Sequence, residues 1–204
     1  MFSSTSNSGS YSADFETNLR GLLNQVTRGS FAQGQDRRIM ICPLSSDIYS
    51  YKLSDNLART GAANGSSVLL WDLCATENAA GNGGKFCDLD SVMRAHNLIE
   101  AGISKRPDET IWEAQSTVRF RGNPKAIAES NALTEAVRHL SKLFDLIIIN
   151  CPPVGMLDEG YRAFAQHADS IIMVAKKGKT RKQEIARSTQ ITKGLPVAGF
   201  IMLE

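Results

Sequence analysis

Phe144-Asp-Leu-Ile-Ile-Ile-Asn-Cys-Pro-Pro-Val154 is the stretch that decides the fold. Its apolar run Leu146–Ile149 shows no polar alternation, the pattern of a strand buried on both faces. Just before it, segment 130–144 places Leu133, Ala136, Val137, Leu140, Leu143 and Phe144 at three- and four-residue steps. That spacing predicts a helix laying one face on a sheet.

The same alternation continues on both sides. Downstream, the sequence predicts a helix near 158–167, a strand over Ser170–Val174, a helix near 181–190 and a strand over Val197–Leu203. Upstream, Arg38–Cys42 reads as a short strand, Leu53–Ala63 as a helix, and Ser67–Leu73 as another doubly buried strand. Residues 89–101 read as helical, and Thr117–Phe120 as a strand entered from a loop. The Gly-, Asn- and Ala-rich stretch 75–90 reads as a mobile loop. Near the start, Phe15, Leu19, Leu22, Leu23 and Val26 recur at helical spacing. The expected organisation is a flexible Ser-rich tail over 1–12, an amphipathic helix and linker over 13–30, and a single domain over 31–204. Strands that alternate with helices and carry continuous apolar runs imply a parallel sheet covered on both faces. Ligands in such sheets bind at the carboxyl ends of the strands, so chemistry is expected in the loops after Cys42, Leu73 and Asn150.

Composition narrows the function classes. A chain of 204 residues with 42% apolar and 22% charged residues is globular. A net charge of +2 does not by itself imply a nucleic-acid partner. The apolar runs fall far short of the roughly 18–20 residues of a membrane span, and no basic-then-apolar leader opens the sequence. The expected compartment is the cytoplasm. Cys42, Cys74, Cys87 and Cys151 form no CxxC pair, so reduced thiols are expected.

Several motifs carry a resemblance. Ser67-Val-Leu-Leu-Trp-Asp72 is a strand ending in Asp, Asn123-Pro124 precedes the 130–144 helix, and Asn150-Cys-Pro-Pro153 follows the decisive strand. Ala168-Asp169, the strand Ile171–Ala175 and Gly178-Lys-Thr180 complete the set. Over residues 37–204 the chain resembles the cytoplasmic tyrosine-autokinase domains of bacterial polysaccharide co-polymerases, relatives of the MinD and ParA ATPases. The resemblance implies a three-layer α/β/α fold with a mostly parallel sheet of the P-loop NTPase type.

Aligned on Asn56-Leu57-Ala58, the family's phosphate-loop signature falls on Leu44, Tyr49, Ser50 and Tyr51, in place of its first Gly, second Gly, Lys and Ser/Thr. The glycines let backbone N–H groups converge on phosphate, so a Tyr49 ring is expected to fill space that must stay bare. Lys52 points away from position 50 on a helix and does not replace the lysine. The family's Asp-x-Asp pair is Asp72-Leu73-Cys74 here, and its later Asp is Asn150, a neutral amide that cannot balance a divalent ion. No adenine-gripping Asn follows the last strand, and no Tyr follows Tyr161. No cofactor is therefore expected; ATP with magnesium enters only if the phosphate loop takes an irregular form. Asp72 also has a plainer reading, as a strand-end carboxylate capping a turn.

Other constellations are weighed the same way. Cys42, Cys74 and Cys151 all fall near carboxyl ends of neighbouring strands, which allows a zinc or redox site but is expected to be packing. His139 and His167 are expected to be solvent-facing or satisfied helix residues. The run Lys176, Lys177, Lys179, Arg181 and Lys182 reads as a solvated turn, with contact to anionic lipid as the alternative. Aromatics that stack bases are not interleaved there, so no nucleic acid is expected.

The expectation is a non-catalytic, pseudokinase-like domain acting in exopolysaccharide assembly or export. It would dock through its helical faces and N-terminal helix on a membrane polysaccharide co-polymerase of the chain-length-determinant type, or on a kinase-like subunit. Self-association and a peripheral position at the inner membrane are compatible with that expectation. The alternatives are an active autokinase or ATPase and a MinD/ParA-like positioning scaffold.

Overall fold

The computed structural model describes residues 13–27, 37–74, 98–99, 101–107, 109–115, 131–157 and 165–204. Seven strands form one sheet in the order β3-β4-β2-β5-β1-β6-β7. In chain order they are β1 (Arg37–Pro43), β2 (Val68–Asp72), β3 (Ile103–Lys105), β4 (Ile111–Gln115), β5 (Leu146–Asn150), β6 (Ser170–Lys176) and β7 (Val197–Leu203). All neighbours are parallel except β3, which runs antiparallel to β4. The helices are α1 (Ala13–Thr27), α2 (Tyr51–Ala63), α3 (Asn131–Ser141), α4 (Val154–Leu157) and α5 (Lys182–Ile191).

The central strands β2 and β5 are buried at every position, because helices cover both sheet faces. On one face Ile39, Ile41, Leu70, Ile148 and Val174 pack under α1 and α2. On the other, Met40, Trp71, Ile149 and Met173 pack under Ala136, Val137 and Leu140 of α3 and Ile185 of α5. Alternate side chains of each strand feed the two cores, which is why no polar alternation is visible in the sequence. Gly61 of α2 sits directly over β5. A Cβ there would lie 2.5 Å from Leu146 Cδ2 and 3.3 Å from Val68 Cγ2, so the missing side chain sets how closely the helix approaches the sheet. Past α2, Gly65 takes the left-handed conformation (φ 88°) that closes the helix end.

Two carboxylates pin the amino ends of the strands. Asp169 accepts hydrogen bonds from Arg38 N, Nε and a terminal guanidinium nitrogen, at 2.7, 3.1 and 2.8 Å, joining β1 to β6. Asp145 accepts from Ser67 N and Oγ at 2.8 and 2.7 Å, joining β2 to β5. The opposite, carboxyl end of the sheet is left for the loops.

Most elements match the sequence reading within a few residues. The exceptions have identifiable causes. Strands β3 and β4 were not anticipated: β3 has three residues, and Trp112-Glu113 interrupts the apolar signal of β4. Residues 98–102 include turns at 98–99 and 101–102 rather than the end of a helix. The short α4 begins before the expected 158–167 helix, whose residues 158–164 lie outside the described set, as do the 75–90 loop and Thr117–Phe120. Leu19 and Leu23 of α1 are buried against α2. The apolar side of this helix is therefore engaged within the protein itself. No helix among the described residues is long and apolar enough to cross a membrane.

Candidate functional site

The carboxyl ends of β1, β2 and β5 lie side by side. Ile41, Asn150 and Asp72 stand level, since Asn150 is the register partner of both others. The turn after β1 leads through Ser50 into the amino end of α2. These placements bring Ser50, Ser54, Asp72 and Asn150 together.

One chain of hydrogen bonds runs through them. Ser50 Oγ donates to Asn150 Oδ1 at 2.7 Å. Ser54 Oγ lies 3.2 Å from both Asn150 Oδ1 and the Ser50 carbonyl. Asn150 Nδ2 donates to Asp72 Oδ1 at 2.8 Å, and Cys74 N–H donates to the same oxygen at 2.9 Å. An amide suits this position because it accepts on one side and donates on the other, whereas an ionised Asp only accepts. Burial raises the Asp72 carboxyl above its ordinary pKa. The hydrogen bonds from Asn150 and Cys74 pull it back, and Glu113 adds repulsion. The turn-capping reading of Asp72 thus has its counterpart in the Cys74 N–H contact.

The four aligned phosphate-loop positions behave differently from one another. Leu44 and Ser50 are buried, as is Ile48 between them. Tyr49 is 75% exposed, so its ring does not fill the cradle as the sequence reading expected; Ile48 turns inward and Tyr49 outward. The Tyr49 ring tilts against Tyr51, with centroids 6.1 Å apart. Tyr51 reaches sideways, donating through its hydroxyl to Glu113 Oε1 at 2.8 Å. Burial and the Glu113 charge push the Tyr51 pKa up, keeping it a neutral phenol. Lys52 is exposed on the outer side of α2. Ser50 N-caps α2 without a side-chain cap bond, because its hydroxyl is turned to Asn150.

A second polar cluster, which the sequence reading missed, lies on the flank where α2 crosses β4. Arg106 pairs with Asp55 at 2.5 Å, with Glu109 at 3.4 Å, and with Glu113. Arg59 pairs with Asp55 at 3.2 Å and with Glu109. Burial opposes the Arg106 charge, but Glu113 and Asp55 outweigh it and hold its pKa above the ordinary value. Asp55 and Arg59 at i and i+4 were the local signal. The partner residues 106–113 fall in a stretch with no recognisable pattern.

Cys42 and Cys151 pack as small apolar groups, and Cys87 lies outside the described residues. Cys42 and Cys151 follow the register pair Ile41 and Asn150 and are fully buried in the α3-side core. Cys74 is exposed as a residue, but its sulphur is turned inward, 3.7 Å from the Asn150 carbonyl. Burial raises the pKa of Cys74 and Cys151, the reverse of a reactive thiolate. Among the described residues, no group of three His, Cys, Asp or Glu could hold a metal ion. His139 is exposed. His167 departs from expectation: it sits in a turn, buried, with Nε2 unbonded, and burial and Arg38 lower its pKa. In the basic run, Thr180 Oγ1 accepts from Lys176 N–H at 2.8 Å, which shapes the turn before α5.

No protein-family profile matches the chain. A tyrosine-protein kinase CpsD of Streptococcus pneumoniae serotype 4 is 32% identical over 96 residues, 47% of this chain and 39% of that protein. A second Streptococcus pneumoniae tyrosine-protein kinase CpsD is 26% identical over 142 residues, 67% of this chain and 61% of that protein. The chain thus matches only part of the length of either relative. Among solved structures, the BceF tyrosine kinase domain superposes with a TM-score of 0.72 at 22% identity, covering 92% of this chain and 76% of that one. A chain of the Aquifex aeolicus MinC:MinD cell division protein complex superposes with a TM-score of 0.60 at 15% identity, covering 81% of this chain and 67% of that one. The strand order and these similarities converge: the chain is homologous to the CpsD tyrosine-protein kinases and has the fold of bacterial tyrosine-kinase and MinD/ParA-type P-loop domains.

Proposed function

We propose that the chain is a non-catalytic, pseudokinase-like domain that regulates or scaffolds bacterial exopolysaccharide assembly or export through protein contacts. Its partner in this reading is a membrane polysaccharide co-polymerase or a kinase-like subunit, met at the cytoplasmic face of the inner membrane. The observation that carries the reading is the closed chain Ser50–Asn150–Asp72–Cys74. The side chains standing where a kinase relative would meet phosphate and magnesium are hydrogen-bonded to one another. Ser50 brings no charge where the phosphate-gripping lysine would stand. By analogy, one removed transition-state donor costs about 3–4 kcal/mol. A single carboxylate, already engaged by the Asn150 and Cys74 donors, is a poor hard-ion ligand set.

Isothermal titration of the chain with ATP or ADP in the presence of magnesium should give no saturable heat. Micromolar affinity would overturn the reading, as would ATP turnover that disappears in Asp72→Ala.

A further inference from the structure

The two edges of the sheet are unlike. Strand β3 has three residues, with Ser104 and Lys105 exposed, and is too short and polar to recruit another strand. Strand β7 is seven residues long, Val-Ala-Gly-Phe-Ile-Met-Leu, with no charge and no proline. Among the described residues its outer edge carries no strand. Phe200 and Met202 are 51% and 57% exposed. They pair in register with Met173 and Ala175, which face the α5-side core, so both lie on that side of the sheet. Lys177 N–H donates to the Leu203 carbonyl at 2.8 Å, so Leu203 faces β6 and Phe200 and Met202 turn their backbone N–H groups outward.

The surroundings of this edge are cationic. The turn held against Leu203 continues through Lys177, Lys179, Arg181 and Lys182, all exposed. Among the described residues the nearby acids are Asp47 beside Lys176 and Lys179, Glu184, which accepts from Arg181 N–H at 2.7 Å, and Glu204.

We propose that β7 is a strand-addition site for an extended, acid-flanked segment of a protein partner. Backbone N–H and C=O groups of Phe200 and Met202 would pair with it, their side chains would pack on its apolar residues, and Lys177 and Lys179 would meet its acidic end. This rests on the reading of the chain as a docking domain and adds the chemistry of the docked segment.

The test is fluorescence anisotropy of a labelled peptide, Glu-Glu-Val-Thr-Val-Thr-Val-Glu-Glu, against the whole chain. Saturable binding is expected, about tenfold weaker for a Lys-flanked version and about tenfold weaker for Met202→Pro, which deletes an outward N–H but leaves the β6 ladder intact. Met202→Lys gives a second edge block should the proline disturb folding, and Lys177→Glu with Lys179→Glu should weaken binding about fivefold. Three results would overturn the proposal. One is no saturation up to about 1 mM peptide, and another is binding indifferent to both edge variants. The third is an edge occupied by something else: a dimer broken by Met202→Lys, or sedimentation with phosphatidylserine vesicles lost in the same variant. Micromolar Mg-ATP affinity in the same sample would remove the proposed function and leave the peptide result standing.

Discussion

Helix α2 is tied to the sheet by two polar clusters of opposite design. At its amino end, Ser50 and Ser54 meet Asn150 and a single carboxylate, Asp72, with no cation among them. On its flank, two arginines and three carboxylates form a dense ion cluster around Arg106, whose side chain is 13% exposed. Charge is concentrated where α2 leans on β4 and is sparse at the carboxyl end of the sheet, where phosphate chemistry would demand it. The lesson is that α2 is tied to the sheet on its flank by paired charges and at its amino end by hydrogen bonds around a single carboxylate.

Three substitutions would break or sharpen that contrast. The largest effect is expected from Arg106→Met, which leaves Asp55, Glu109 and Glu113 facing one another and removes a partner of Tyr51. Chemical denaturation should show a loss of about 3 kcal/mol, the usual cost of breaking a shielded ion pair from one side. A smaller loss would mean that the flank is more hydrated than its geometry suggests.

Next comes Asn150→Asp, which replaces the Asn150 donor with a second buried carboxylate beside Asp72. A loss of about 2 kcal/mol at pH 7 is expected, from like-charge repulsion and the missing Nδ2 hydrogen bond. Melting curves should recover as the pH falls and one carboxyl of the pair takes a proton. Rescue by magnesium at neutral pH would instead show that the site still assembles as a metal cradle.

The smallest effect belongs to Asp72→Asn, which can keep Oδ1 as acceptor for Asn150 and Cys74 while removing the charge. The folded-state pKa of Asp72 is raised, so its ionised form is a burden above that pKa, and the burden is relieved as the pH falls toward the unfolded value. The variant should therefore be slightly more stable than the parent at pH 7, and the two melting temperatures should converge in acid. A destabilised variant would show that the carboxylate itself is needed.

The doubly buried strands were legible because an apolar run without alternation demands cover on two faces, and Leu146–Ile149 and Val68–Trp71 have it. Helix α3 was legible from its three- and four-residue apolar steps. Strand β4 was not, because Glu113 reads as solvent-facing until Arg106 and Tyr51 are placed against it. Position 49 shows the same limit: the sequence puts a ring in the phosphate loop, but not which way it turns.

What the sequence by itself determined was the alternation of strands and helices outside β3 and β4, and the covered parallel sheet. Those follow from local pattern, since burial periodicity is set within a few residues. Only the tertiary structure decided that Tyr49 faces solvent, that Ser50, Asn150 and Asp72 form one chain, and that Arg106 anchors the flank. Their partners lie far apart along the chain, 100 residues for Ser50 and Asn150 and 78 for Asn150 and Asp72. Only the closing of the sheet brings them within hydrogen-bonding distance.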